Sequence, residues 1–179
     1  MNIFVLNSGR CGSLSFIRAC AHISNYSAGH ESRIALLGEA RLAWPPRHIE
    51  ADNRLSWLLG RLDETWGDRA RYVHLTREAD AVIASFARRA DFGIMRAYRE
   101  GILLQAEAQA DAADIARDYL ATVEANIRHF LRDKSQVMPF RLEHAKADFA
   151  HFWDWIGAEG SLPHALQEWD THHNASAAP

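Results

Sequence analysis

Arg10, Gly12, Ser13 and Ser15 stand together in "SGRCGSLSF", directly after the apolar run Ile3 to Leu6 and directly before an amphipathic helical pattern. Strand, tight turn and helix N-terminus aim several backbone N–H groups and the positive end of a helix dipole at one point, an arrangement suited to holding phosphate. Gly9 and Gly12 let the backbone approach an anion closely, Ser13 and Ser15 add hydroxyl donors, and Arg10 adds a permanent charge. Cys11 and Leu14 complete the loop. Several phosphate chemistries are excluded by spacing. The ATPase pattern G-x-x-x-x-G-K-[ST] fails because the first lysine of the chain is Lys134. A phosphatase loop needs an arginine six residues after its cysteine, where this chain has Ile17, so Cys11 is not expected to act as a nucleophile. The dinucleotide fingerprint lacks its third glycine.

A second constellation lies in "RYVHLTREADAVIASFARR", where Arg77 ends an apolar run and Ser85 follows eight residues later. An arginine at a strand's end can pair bidentately with a phosphate, and a serine two helical turns on can cap the same group. An ordinary strand-helix junction, with Arg77 capping its surroundings and Ser85 as a small packing residue, is the competing reading.

The elements that must position these residues follow from periodicity. Ile3 to Leu6, Tyr72 to Leu75 and Val137 to Leu142 read as strands buried on both faces, each followed by a helical pattern. That alternation predicts a parallel α/β sheet in three layers, α/β/α, with a helical insertion at about 90–135 and the whole chain, 1–179, as one domain. Ser13 is the expected N-cap of the first helix. "NRLSWLLGRLDETWG" places Leu55, Leu58, Leu59 and Leu62 at helical spacing, with Gly67 as its stop. Ile94 to Gln105 and Ala112 to Arg132 read as a helical pair, and "EHAKADFAHFWDWIG" as a helix with Phe149, Phe152, Trp153 and Ile156 on its apolar side. "AWPPRHIEADN" is the most loop-like stretch, because its prolines forbid a regular helix. Ligands of such sheets bind at the carboxyl ends of the strands, so the loops after Leu6, Leu75 and Leu142 should share one edge.

Arg10-Cys11-Gly12-Ser13-Leu14 resembles the 5′-phosphosulfate loop of the sulfotransferase superfamily, a strand followed by [KR]-[ST]-G-[ST]-[ST] and a helix. It departs from that pattern at Cys11 and Leu14, and Ser15 stands where it can supply the missing hydroxyl. Arg77 and Ser85 resemble the superfamily's 3′-phosphate site, R-[DE]-x-x-x-[AV]-x-x-S, and "FRLEHAKADFAHFWDWIG" resembles its late strand-helix element. The resemblance implies a P-loop-like fold, 3′-phosphoadenosine 5′-phosphosulfate (PAPS) as donor and no metal. Gly9 to Ser15 with Arg77 and Ser85 would bind that donor, and Arg10 would meet the bridging oxygen of the leaving phosphate. The base that takes the acceptor's proton would come from "SAGHESR", whose Gly-x-Glu-x-Arg outline resembles the "GEETR" stretch of tyrosylprotein sulfotransferases. Glu31 falls at or next to the base position, His30 is its rival, and Arg33 could steady either the acceptor or the carboxylate. The implied activity is sulfuryl transfer to a hydroxyl or amine. Two alternatives stay open, a nucleotide-binding kinase-like enzyme and a non-catalytic 3′-phosphonucleotide-binding protein; a bare interaction scaffold would leave both loops as coincidences.

Composition sets the remaining bounds. A net charge of −3 and a pI near 6.3 give no general pull toward nucleic acid or an anionic membrane, so any anion site must be local. Of the 20 basic residues only Lys134 and Lys146 are lysine, which codon usage explains as readily as function does. Two cysteines, Cys11 and Cys20, make no disulfide framework, and the N-terminus carries no secretory pattern, so a cytoplasmic location is expected. The triplets at Asn25 and Asn174 match the glycosylation pattern, which is common by chance. The histidines make no zinc ligand set with the cysteines: His144 and His151 are seven apart, and His172 and His173 are adjacent in a tail. A small molecule, carbohydrate or peptide would serve equally as acceptor, with Trp44 and Trp57 as candidate pocket walls, and the sequence leaves the oligomeric state open.

Overall fold

Strand β1 (Asn2–Leu6) is buried at all five positions because it takes the centre of the sheet. It pairs in parallel with β3 (His48–Ala51) on one side and β4 (Ala70–Thr76) on the other. β2 (Ser27–His30) lies outside β3 and β5 (Val137–Arg141) outside β4, giving the order β2-β3-β1-β4-β5 with every pair parallel. All five carboxyl ends therefore reach one edge. The computed structural model describes residues 1–104 and 110–171; Gln105, His172, His173 and Asn174 lie outside the described residues.

Two of these strands escape a search for apolar runs. β3 occupies the stretch expected to be a loop, beginning two residues after Pro46. Its His48 and Glu50 are buried, but against polar partners rather than a hydrophobic layer. β2 reads Ser-Ala-Gly-His and forms the sheet's edge, where no apolar side chain is required. β5 closes the other edge and carries Pro139, a residue that a central strand would exclude.

Helices cover both faces. α1 (Ser13–Cys20), α6 (Ala145–Ile156) and α7 (Leu162–Gln167) share one side, where the Phe16 ring meets Phe140, Phe149, Phe152 and Trp169. On the other side lie α2 (Leu59–Thr65), α3 (Ala79–Ala87) and α5 (Ala112–Leu131). There Tyr72 stands edge-on to Phe130, and Phe86 to Tyr119. Such aromatic pairs add about 0.5–1.5 kcal/mol each beyond the area they bury. Between α3 and α5 come α4 (Gly93–Ala97) and a π turn at Tyr98–Ile102, which occupy the segment expected as an insertion. α5 is more than an appendage: Tyr119, Val123 and Ile127 are core residues.

The expected helix from Asn53 onward is broken. Asp52 accepts a hydrogen bond from the Arg54 amide at 2.8 Å and starts a 3-10 turn, Asn53–Trp57, before α2 begins at Leu59. Asp52 is itself fully buried and ion-paired with Arg41. The leucine spacing records burial at Leu55 and Leu62 correctly, but the cap at Asp52 governs the local backbone. No helix among the described residues is long and apolar enough to cross a membrane.

Candidate functional site

The loop between β1 and α1 is held from beneath by its carbonyls. Ser56 Oγ donates to the Asn7 carbonyl at 3.1 Å, Tyr119 Oη to that of Ser8 at 2.8 Å, and Cys11 Sγ to that of Gly9 at 3.2 Å. The Asn7 side chain accepts from the Gly9 amide at 2.9 Å. The first bond of the helical ladder runs from the Phe16 amide to the Gly12 carbonyl, so the amides of Ser13, Leu14 and Ser15 precede it. Gly12, not Ser13, holds the cap position, with φ +86° and no side-chain cap. A Cβ on Gly12 would come within 2.6 Å of Leu142 Cδ1, which is why the helix opens on a glycine. Ser13 instead begins the helix, and its Oγ is hydrogen-bonded to His30 Nε2 at 3.0 Å.

Cys11 serves the loop itself, through the bond of its thiol to the Gly9 carbonyl, and is not among the residues that line the cleft described below. Its thiol is buried, and burial pushes it up from 9.0 to about 11, far from thiolate chemistry at neutral pH.

Arg10 also departs from ordinary backbone geometry, at φ +61°, and its side chain leaves the loop to reach α3. Its Nε donates to Ser85 Oγ at 2.8 Å, while Arg77 Nη1 donates to the Arg10 carbonyl at 3.2 Å. The two constellations of the sequence thus form one cluster. Burial and the fields of Arg89, Arg77 and Arg88, in that order, lower the Arg10 pKa. Lowering by neighbouring cations marks a place where positive charge is concentrated before any anion arrives.

His30 ends β2, and Glu31 follows in the left-handed region at φ +52°. Glu31 Oε2 is 2.9 Å from Arg54 Nη1, so the acidic candidate carries its own counter-ion. Arg33 turns away from that pair: its Nη1 donates to the Ala40 carbonyl at 2.9 Å, and its guanidinium lies over the Trp44 ring.

These groups surround a cleft of about 560 Å3 at the carboxyl edge of the sheet. Gly9, Arg10, Gly12 to Ser15, His30, Glu31, Arg77 and Ser85 all line it. The cleft also has an apolar lining, with Phe92, Ile94 and Met95 near α4 and Leu142 and Trp169 near α6. Neither tryptophan expected as a wall takes part: Trp44 is buried beneath β3, and Trp57 lines a separate groove with Asp63 and Lys134. Asn53, Arg54, Arg88 and Arg89 belong to the cleft and were missed from sequence. The first two follow β3, whose carboxyl end is hidden once the strand itself is unrecognised. Arg88 and Arg89 stand one helical turn past Ser85, a spacing that "SFARR" displays openly.

Among solved structures, the chain is similar to a sulfotransferase domain from the curacin biosynthetic pathway, with a TM-score of 0.67 and 17% identity over 95% of this chain and 78% of that one. The chain has the sulfotransferase fold. A mouse sulfotransferase, SULT7A1, solved in complex with PAP, shares this sulfotransferase fold at a TM-score of 0.58 and 12% identity, over 94% of this chain and 64% of that one. Neither a family model nor a curated protein sequence matches the chain. In this chain the loop after β1 and the arginine-serine pair after β4 line one cleft and are joined by the Arg10–Ser85 hydrogen bond.

Proposed function

We propose that this protein transfers a sulfuryl group from PAPS to a hydroxyl or amine acceptor. The observation that carries the proposal is the joining of Arg10, Arg77 and Ser85 beside the free-standing amides of α1 in one cleft. The presence of PAP in the mouse relative supports the choice of nucleotide. The residues suit such a donor. Gly12 has a left-handed backbone and no room for a side chain, and five arginines among the lining residues face a single carboxylate, Glu31.

PAPS supplies the sulfuryl group, whose bond to the bridging phosphate oxygen breaks as the acceptor's oxygen or nitrogen bonds to sulfur. Ser13, Leu14 and Ser15 hold the 5′ end through backbone amides and hydroxyls. Arg77 and Ser85 hold the 3′-phosphate, with Arg88 and Arg89 adding to the local field. Arg10 spans the two ends and offsets charge that grows on the leaving oxygen. His30 or Glu31 accepts the acceptor's proton, and PAP leaves with the charge it gained. The Phe92, Ile94 and Met95 wall presents an apolar surface to the acceptor.

The test is a calorimetric titration of the purified protein with PAP, with 5′-AMP and ATP as comparisons and no added metal. Binding of PAP that weakens at least tenfold, about 1.4 kcal/mol, when the 3′-phosphate is missing is the expected result. Equal binding of ATP would favour a kinase-like enzyme. PAP binding with no turnover against phenols, sugars, amines and peptides would favour a non-catalytic binder.

A further inference from the structure

The turn that carries both candidate bases rests on a buried polar network that does not line the cleft. Glu50, in β3, is fully buried, and its Oε1 accepts from the Ser32 amide at 2.7 Å. Its Oε2 accepts from Ser32 Oγ at 2.6 Å and lies 2.9 Å from His48 Nε2. His48 is fixed in turn: its Nδ1 is 2.8 Å from Ser27 Oγ, and its ring is stacked on Trp44. Trp44 Nε1 donates to Ser32 Oγ at 3.2 Å, closing the network. Gly29 makes the space for it, since a Cβ there would stand 2.8 Å from Glu50 Oε2 and 2.9 Å from Ser32 Cβ.

A carboxylate this deep costs several kcal/mol to bury unless its oxygens are satisfied, and a hydrophobic residue in β3 would serve the sheet at no such cost. Glu50 spends its bonds on the residue immediately after Glu31, which itself adopts φ +52° and donates its amide to the Ala51 carbonyl at 3.0 Å. A left-handed non-glycine residue persists only where its surroundings over-determine it. Here the determinants are β3 and Glu50.

Resting on the sulfotransferase reading, we propose that Glu50 is a positioning residue: with His48 and Trp44 it locks Ser32 and so fixes Glu31 against Arg54 and His30 against Ser13. The donor half of the cleft, made by the loops after β1 and β4, meets this network at the Ser13–His30 hydrogen bond, whereas Arg10, Arg77 and Ser85 are bonded to one another. Two readings of the 179-residue chain test this assignment. One is PAP affinity by calorimetry. The other is the ring cross-peak of His30 in aromatic correlation spectra, assigned through His30→Gln.

Glu50→Gln keeps the shape but puts a donor where Ser32 and His48 need an acceptor. It should displace the His30 signal while PAP affinity stays within about twofold of wild type. Ser32→Ala, a milder change that removes only the hydroxyl, should displace the same signal to a smaller extent, and it decides the matter if Glu50→Gln fails to fold. An unmoved His30 signal in the folded variants overturns the assignment. So does a loss of PAP affinity that parallels the His30 change, since Glu50 would then support the whole cleft. Failure of the wild-type protein to bind PAP counts against the sulfotransferase reading instead, and it is read in a separate titration.

Discussion

Arg77 offers the most discriminating test at the scale of one side chain. It is exposed, and it donates a hydrogen bond to the Arg10 carbonyl, so its loss should leave the core intact. A charge-assisted phosphate contact contributes about 1.5–3 kcal/mol, so Arg77→Ala should weaken PAP binding by at least tenfold and leave 5′-AMP binding unchanged. For the proton transfer, His30→Gln and Glu31→Gln should be compared by turnover. Removal of the true base lowers kcat by about 10²–10⁴ with little change in donor affinity, whereas the other variant stays close to wild type. Cys11 gives a prediction about pH. Its folded thiol is held near 11 against an ordinary 9.0, so the folded state retains a proton that the unfolded chain gives up. The resulting stability is complete below about pH 9 and is lost as pH rises through about 11. Urea unfolding followed from pH 7 to 10.5 should show this decline, and Cys11→Ala should make it shallower. Neither cysteine should react with thiol reagents at neutral pH before unfolding, since Cys20 is equally buried and its thiol is raised too.

Among the elements, the junction of β1 and α1 is the least tolerant. Gly12→Ala combines a strained φ with a contact against Leu142, and a cost of about 1–3 kcal/mol is expected in denaturant melts. PAP affinity should fall with it, because the first turn of α1 would shift. What the sequence disclosed about this region follows from the kind of signal each element emits. β1, β4 and α6 declare themselves by apolar residues, and the anion loop by glycine and serine between a strand and a helix. β3 stayed hidden because His48 and Glu50 satisfy each other in its interior, and hydrophobic patterning is blind to polar burial of that sort. Losing β3 also lost Asn53 and Arg54 at its end, and with them the counter-ion of Glu31. Ser13 looked like a cap by residue type, but its hydroxyl is engaged with a histidine seventeen residues away, information that lies in tertiary structure alone.

For the molecule as a whole, charge is divided unevenly. A chain of net −3 places Arg10, Arg54, Arg77, Arg88 and Arg89 around one cleft, so the positive field is local and, under the proposed function, acts on the nucleotide partly through solvent. PAP affinity should therefore fall steadily as sodium chloride is raised from 50 to 500 mM, and more steeply than 5′-AMP affinity; a flat response would mean the arginines are not in contact with the ligand. The strand order has a further consequence, for synthesis on the ribosome. β1 emerges first yet belongs in the middle, and it must wait for β3 and then β4 before either of its edges is covered. Through that interval the most apolar strand of the sheet is exposed, the situation in which parallel sheets are slow to form and prone to aggregate. Once α3 has been made, the loops after β1 and β4 that meet in the cleft have both been synthesised, whereas β5 and its covering helices are still to come. Nascent chains halted before β4 should accordingly be the ones that chaperones hold longest.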